Sequence, residues 1–308
     1  MVYIVRKYAI RLAKKLRIGT RGSKLALWQA HHVQSHLQQH GLDTEIQVIK
    51  TQGDRVQHLS FDKLEGKGFF TKEIEEHLRT DQIDLAVHSL KDLPTEKDEH
   101  LRIGALTQRA SPSDILIANR NAMVEGETLG IKQGAIVGTS SLRRQAQIAW
   151  MRPDVACQDL RGNVPTRIEK LRRGDYDAII LAHAGVSRLE IDLADFHTWV
   201  FSPREFVPAA GQGVVALQIR REDDLTAQAV AHIHQPAVAR CSNVERKVLQ
   251  LMDGGCHVPL GVYCESDQLE NYHVWAAWQP PESKLKQIKV SLGTTHELAE
   301  QVVHLLKN

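Results

Sequence analysis

Five times along this chain a short run that reads as a strand breaks off into a turn of small, polar or cationic residues. The runs are Leu16 to Thr20, Ile83 to Val87, Ala135 to Val137, Val155 to Leu160 and Ala178 to Ala182. The turns that follow are Arg21-Gly22-Ser23, His88-Ser89-Leu90-Lys91-Asp92-Leu93-Pro94, Gly138-Thr139-Ser140-Ser141, Arg161-Gly162-Asn163 and Gly185-Val186-Ser187-Arg188. Short continuous apolar runs are the pattern of parallel strands buried on both faces. Where helices alternate with them, the expected architecture is an α/β fold with a mostly parallel sheet. Ligands of open α/β sheets collect just beyond the carboxyl ends of the strands, so the polar turns are the candidate site and Asp92 is expected to face it.

Between the runs, Lys24 to His40 has helical apolar spacing through Leu25, Leu27, Trp28, Val33 and Leu37, and Gly41 ends it. A strand, a turn holding Arg21 and Ser23, then a helix start makes an anion cradle, because free N–H groups at a helix N-terminus attract negative charge. His32, His36 and His40 recur at i, i+4, but no HExxH-type glutamate accompanies them, and a solvated polar face accounts for them. Thr44 to Lys50 alternates as a strand. In Gly66-Lys67-Gly68 the flanking glycines suit a loop that lets Lys67 approach a ligand. Thr71 to Arg79 reads as a helix and Leu101 to Leu106 as a strand.

A second, similar unit begins near Ser113, with Asp114 to Ala118 as its first strand. After Gly138, hydroxyls are expected to cap a helix running to about Met151, with Arg143 and Arg144 in its first turn. Cations there oppose the helix dipole, which points to anionic ligands or to tertiary carboxylates as the compensating charge. The helix Val164 to Arg173 repeats the geometry, with Arg167 near its start, and Arg188 follows the next strand. Pro208-Ala209-Ala210-Gly211-Gln212-Gly213 is a small-residue crossover, after which Val214 to Ile219 returns to the first sheet and makes the first domain discontinuous. From about Gln235 the pattern changes to a helix, Asn243 to Met252, three short strands near Val258 to Cys264, His273 to Trp278 and Leu285 to Val290, and a last helix, His296 to Leu306. Consecutive strands with short links predict a small antiparallel α+β domain.

A chain of 308 residues is long enough for two or three domains, and 42% apolar with 25% charged residues is a globular composition without a bilayer-spanning stretch. The net charge of +2 conceals the arginine cluster between Arg143 and Arg188. Four cysteines without a CxxC pair suggest a reducing, cytoplasmic setting. The basic start, with Arg6, Lys7, Arg11, Lys14 and Lys15, lacks the apolar core of a signal peptide. Two glycines ahead of Cys256 leave its thiol open on a loop, as a nucleophile or covalent attachment point requires. Cys241, Cys256, His257 and Cys264 are too irregularly spaced for a tetrahedral zinc site, so no metal is expected.

Taken together, these motifs resemble the porphobilinogen deaminase (hydroxymethylbilane synthase) family from about Arg17 to the C-terminus. The resemblance rests on Gly19-Thr20-Arg21-Gly22-Ser23-Lys24-Leu25-Ala26, Gly66-Lys67-Gly68, Val87 to Pro94, Gly138 to Arg144, Leu160-Arg161-Gly162-Asn163-Val164, Gly211-Gln212-Gly213 and Gly254-Gly255-Cys256, in that order. It implies two periplasmic-binding-protein-like α/β domains with the active cleft between them, and a small α+β third domain. The domains would be residues 1–107 with 214–231, residues 113–207, and residues 236–308.

The resemblance further implies a transferase that condenses four porphobilinogen molecules head to tail, releasing ammonia, on a dipyrromethane cofactor joined to Cys256 by a thioether. Asp92 would be the catalytic carboxylate. Lys91, Ser140, Arg143, Arg144, Arg161 and Arg188 would hold the cofactor, and Arg21, Ser23, Lys67, Ser141 and Arg167 the substrate. The chemistry is consistent, since each porphobilinogen brings two carboxylates and arginine forks bind carboxylates bidentately. A monomer with no nucleic-acid or membrane partner is expected. Gln218, where a glutamate is common in the family, and His183 depart from its pattern. A non-catalytic carboxylate-binding protein would use the same arginines, but would need neither Asp92 nor an open Cys256. A nucleic-acid binder would need stacking aromatics, which make up only 5% of the chain.

Overall fold

A computed structural model describes residues 15–51, 71–96, 98–253 and 258–308. Gly66-Lys67-Gly68, the turn Gly254-Gly255-Cys256-His257 and the basic segment 1–14 lie outside the described residues. The first elements are β1 (Leu16–Thr20), α1 (Lys24–Gln39), β2 (Thr44–Val48), α2 (Lys72–Arg79), β3 (Leu85–Ser89) and β4 (Leu101–Leu106). Next come β5 (Asp114–Asn119), β6 (Ile136–Gly138), α3 (Leu142–Met151), β7 (Ala156–Gln158), α4 (Val164–Arg172), β8 (Ala178–Ala182), α5 (His183–Arg188) and β9 (Phe196–Val200). The chain continues through β10 (Val215–Arg220), α6 (Asp224–Ala231), α7 (Pro236–Leu251), β11 (Leu260–Ser266), β12 (Tyr272–Trp278), β13 (Lys286–Leu292) and α8 (Leu298–Lys307).

Two compact units result, Met1–Arg109 with Val214–Ala239 and Ala110–Gly213 with Arg240–Asn308. The first unit is built on a five-stranded sheet of order β2-β1-β3-β10-β4. β1 is parallel to β2 and β3, whereas β10 is antiparallel to both β3 and β4. Four strands therefore run one way and β10 alone runs the other. Both faces of β3 are covered, which is why Leu85 to Val87 reads as an unbroken apolar run. On one face Leu85 and Val87 pack with Ala30, Val33 and Leu37 of α1; on the other Ala86 packs with Ile74 and Leu78 of α2. Each such fully buried Leu, Ile or Val contributes roughly 1.5–3 kcal/mol. The Ser23 hydroxyl caps α1 by accepting from Ala26 N at 3.2 Å, and Gly41, at φ +76, lets the chain leave it.

In the second unit the order β7-β6-β8-β5-β9 repeats this arrangement. β6 is parallel to β7 and β8, and β5 is the reversed strand, antiparallel to β8 and β9. Ala110 N donates to Gly213 O at 3.0 Å, so the outgoing and returning connections run side by side. A Cβ on Gly213, which has φ +87, would meet Ala110 O at 2.7 Å and Ser111 O at 2.9 Å, so only glycine fits there. The same unit carries the three-stranded sheet β11-β12-β13, antiparallel throughout, against α7 and α8 through Val244, Val248, Val262, Val274, Leu298 and Val302. This is the α+β part expected from the short links.

Candidate active site

At the carboxyl edge of the first sheet, β1 delivers Arg21 and Ser23 while β3 delivers Lys91 and Asp92. The parallel pairing of Ile18 with Leu85 and Gly19 with Ala86 puts the two strand ends side by side. After Ser89 the chain makes one 3₁₀ turn, Leu90–Asp92, closed by Leu93 N donating to Leu90 O at 3.2 Å. Leu90 and Leu93 are buried in an apolar cluster with Leu106, Val214 and Ala216, and Leu90 N donates to Val214 O at 3.0 Å. Two buried leucines thus fix a turn whose remaining residues point outward: Lys91 is half-buried and Asp92 exposed. No hydrogen bond or ion pair from the described residues reaches the Asp92 carboxylate. Gln29, which the sequence reading passed over, donates from Nε2 to the Ser89 hydroxyl at 2.8 Å and ties α1 to the end of β3.

His88 lies just before that turn and is buried. Burial lowers its imidazole from the usual 6.5 to about 4, with the neighbouring Gln218 opposing the shift and the Arg21 charge adding to it. A depressed histidine contributes stability that is complete above pH 6.5 and is lost as the pH falls towards 4, because the unfolded chain takes up a proton that the native state refuses. Urea unfolding at pH 7 and pH 4 should show a decrease from this group of about 3 kcal/mol that is missing in His88→Leu. Equal decreases in the two proteins would mean that native His88 is open to solvent.

The equivalent edge of the second sheet carries the arginines. Ser140, after β6, accepts from Leu160 N at 3.0 Å and donates to Leu160 O at 3.1 Å, clamping the end of β7. Ser141 occupies the N-cap position of α3, but its hydroxyl makes no capping bond, contrary to expectation. The turn is held instead by Gln145 Nε2, which donates to Thr139 O at 2.9 Å. Asn163 caps α4 through Thr166 N at 3.0 Å. Arg161 is half-buried, 3.9 Å from Asp159, and Arg167 Nε donates to Gly162 O at 2.7 Å. Arg188 donates from Nη2 to Gly213 O at 2.8 Å, and burial lowers its guanidinium from the usual value.

Arg143 and Arg144 are only 5% and 7% exposed, and of the two sources of compensating charge expected for them the structure shows a tertiary carboxylate. Their partner is Asp114, fully buried, with Oδ2 2.8 Å from Arg143 Nη1 and Oδ1 2.7 Å from Arg144 Nη2. Arg143 Nη1 also donates to Val207 O at 2.9 Å and Arg144 Nη1 to Ile180 O at 3.0 Å. Burial alone would raise the Asp114 carboxyl; the two arginine charges outweigh it and hold the group well below the usual carboxylate range. Because β5 runs antiparallel to β8, with Asp114 opposite Ala182, its first residue lands at the carboxyl edge of the parallel strands. One carboxylate between two guanidiniums leaves an excess positive charge.

Two family models match the chain. One described as "Porphobilinogen deaminase, dipyromethane cofactor binding domain" covers residues 16–228, and "Porphobilinogen deaminase, C-terminal domain" covers residues 239–300. The chain belongs to the porphobilinogen deaminase family. It is 46% identical to the porphobilinogen deaminase of Helicobacter hepaticus over 258 residues, 82% of this chain and 77% of that protein. With the porphobilinogen deaminase of Chloroherpeton thalassium it shares 39% identity over 299 residues, 94% of this chain and 92% of that protein. Among solved structures it is similar to the periplasmic VFT2 domain of Bordetella pertussis BvgS, at 13% identity and a TM-score of 0.44, covering 76% of this chain and 91% of that one.

The described residues fit the dipyrromethane group of the porphobilinogen deaminase family. The turns and helix starts after β6, β7 and β8 carry Arg143, Arg144, Arg161, Arg167 and Arg188, of which Arg143 and Arg144 pair with Asp114 and Arg161 lies 3.9 Å from Asp159. That cationic excess suits a ligand bearing acetate and propionate groups. Among the described residues no helix is long and apolar enough to cross a membrane, and no group of three or more His, Cys, Asp or Glu could hold a metal ion.

Proposed function

We propose that the chain catalyses the stepwise condensation of four porphobilinogen molecules with loss of ammonia, followed by hydrolysis to hydroxymethylbilane, in tetrapyrrole biosynthesis. What carries the reading is a pair of equivalent sheet edges, one presenting the exposed carboxylate of Asp92 and the other carrying five arginines, two of them paired with one buried aspartate. Bound dipyrromethane supplies a covalent primer, attached at Cys256. Lys91, Ser140, Arg143, Arg144, Arg161 and Arg188 hold its carboxylates, while Arg21, Ser23, Lys67, Ser141 and Arg167 receive those of the incoming substrate. Asp92 accepts pyrrole N–H groups, stabilises positive charge as ammonia leaves, and moves the proton at the reacting carbon. The protein works as a cytoplasmic monomer of three domains, without nucleic acid or membrane.

The test is intact-mass spectrometry of purified protein before and after porphobilinogen is added, with ammonia measured in parallel. The expected result is a covalent dipyrrole, discrete increments of one pyrrole, and four ammonia molecules per bilane released. Saturable substrate binding without mass increments or ammonia would mark a carboxylate-binding protein and overturn the enzyme reading.

A further inference from the structure

We infer that Asp114 and Gln212 are positioning residues that aim the Arg143 guanidinium at a ligand carboxylate, and that Glu245 ties this network to the body of the three-stranded sheet. The inference rests on the reading above that Arg143 receives a carboxylate. Arg144 grips Asp114 Oδ1 through its Nε–Nη2 edge, at 3.2 and 2.7 Å, so the edge best suited to a carboxylate is already occupied. Arg143 is held differently. Only its Nη1 is engaged, by Asp114 Oδ2 at 2.8 Å and Val207 O at 2.9 Å. Nothing among the described residues bonds its Nε or Nη2. Asp114 therefore fixes Arg143 from one side and leaves its Nε–Nη2 fork for an incoming carboxylate.

The aspartate is itself gripped. Gln212 Nε2 donates to Asp114 Oδ1 at 3.0 Å, to Pro112 O at 2.7 Å and to Ser113 O at 3.2 Å. The preceding residue, Gly211, donates from its N to Glu245 Oε2 at 2.7 Å, and the other Glu245 oxygen accepts from Cys264 N at 2.8 Å. Asp114 and Glu245 are both 0% exposed. A line of buried polar contacts thus runs from β11 through α7 and the Gly211-Gln212 turn to Asp114 and the guanidinium. Two adjacent arginines in one helix turn would otherwise repel and sample several rotamers. Holding them in one arrangement before ligand arrives removes that ordering cost from binding.

Three variants test the assignment: Asp114→Asn, Asp114→Glu and Gln212→Met. Primer occupancy is read by intact mass, the KM against kcat split with porphobilinogen, and folding by thermal melting. Asp114→Asn should raise KM or reduce primer occupancy about tenfold, the effect of losing a charged hydrogen bond, with a smaller change in kcat of the loaded fraction. Asp114→Glu should recover part of the loss. Gln212→Met keeps both arginine pairs, so it folds even if Asp114→Asn does not, and should raise KM by roughly threefold. Combining Asp114→Asn with Arg143→Lys should cost no more than the worse single change, since one acts through the other. A lowered melting temperature with unchanged KM and occupancy would show a merely structural role and overturn the inference, as would additive losses. Should the unaltered protein neither carry a primer nor consume porphobilinogen, the functional reading itself fails; an active parent with indifferent variants defeats only the positioning role.

Discussion

Replacing Asp92 by Asn is expected to slow addition of the first pyrrole to primer-loaded protein by about 10²–10³-fold, the usual effect of removing one preorganised charge from a developing cation, with lost proton transfer adding to it. Folding should be unaffected within about 0.5 kcal/mol, because the side chain is exposed and its turn is held by buried Leu90 and Leu93 rather than by the carboxylate. Affinity for the first substrate should change less than the rate, since the arginines still bind its carboxylates and the ground state lacks the cation. Single-turnover kinetics followed by mass provide the measurement. A variant that adds the first pyrrole at the parental rate would make Asp92 a bystander.

An equally large effect is expected at the attachment point. Cys256→Ala should carry no dipyrrole and should lose turnover to background, because no other thiol in the chain is suited to replace it. Cys241 and Cys264 are buried in the core beneath the three-stranded sheet, and burial pushes the half-buried Cys157 thiol up, away from the reactive thiolate. Peptide mapping of loaded protein locates the adduct. Finding it on Cys157, Cys241 or Cys264, or an active Cys256→Ala protein that retains it, would reject the assignment.

β3 and β8 were legible because both of their faces are covered, so burial writes itself as an apolar run. β9 was missed for the opposite reason: after Phe196 its residues are exposed, and an edge strand with one buried position leaves no alternation to read. α7 starts at Pro236, well before the expected Asn243, since proline is at home in a first helical turn and the apolar spacing only becomes regular later. α6 also escaped notice, although Asp223 caps it through Thr226 N at 3.0 Å. At the site, the arginines stood out as cations in a helix start. Their tertiary carboxylate did not, because Asp114 sits 29 residues before Arg143 at the head of a strand, and only the reversed direction of β5 brings it to them. The Gln29–Ser89 bond spans 60 residues and is invisible for the same reason.

The reversed strand of the first sheet also dictates an order of events during synthesis. β3 and β4 are not paired with each other; β10 lies between them and bonds to both. Until Val215–Arg220 has been made, the first unit can assemble only β2, β1 and β3, with the edge of β3 open and β4 without a neighbour. The whole of Ala110–Gly213 is translated in that interval. Long-range pairing of this kind is slow and leaves strand edges exposed to other chains. Closing the edge of β3 therefore waits on β10, which is synthesised only after the intervening Ala110–Gly213.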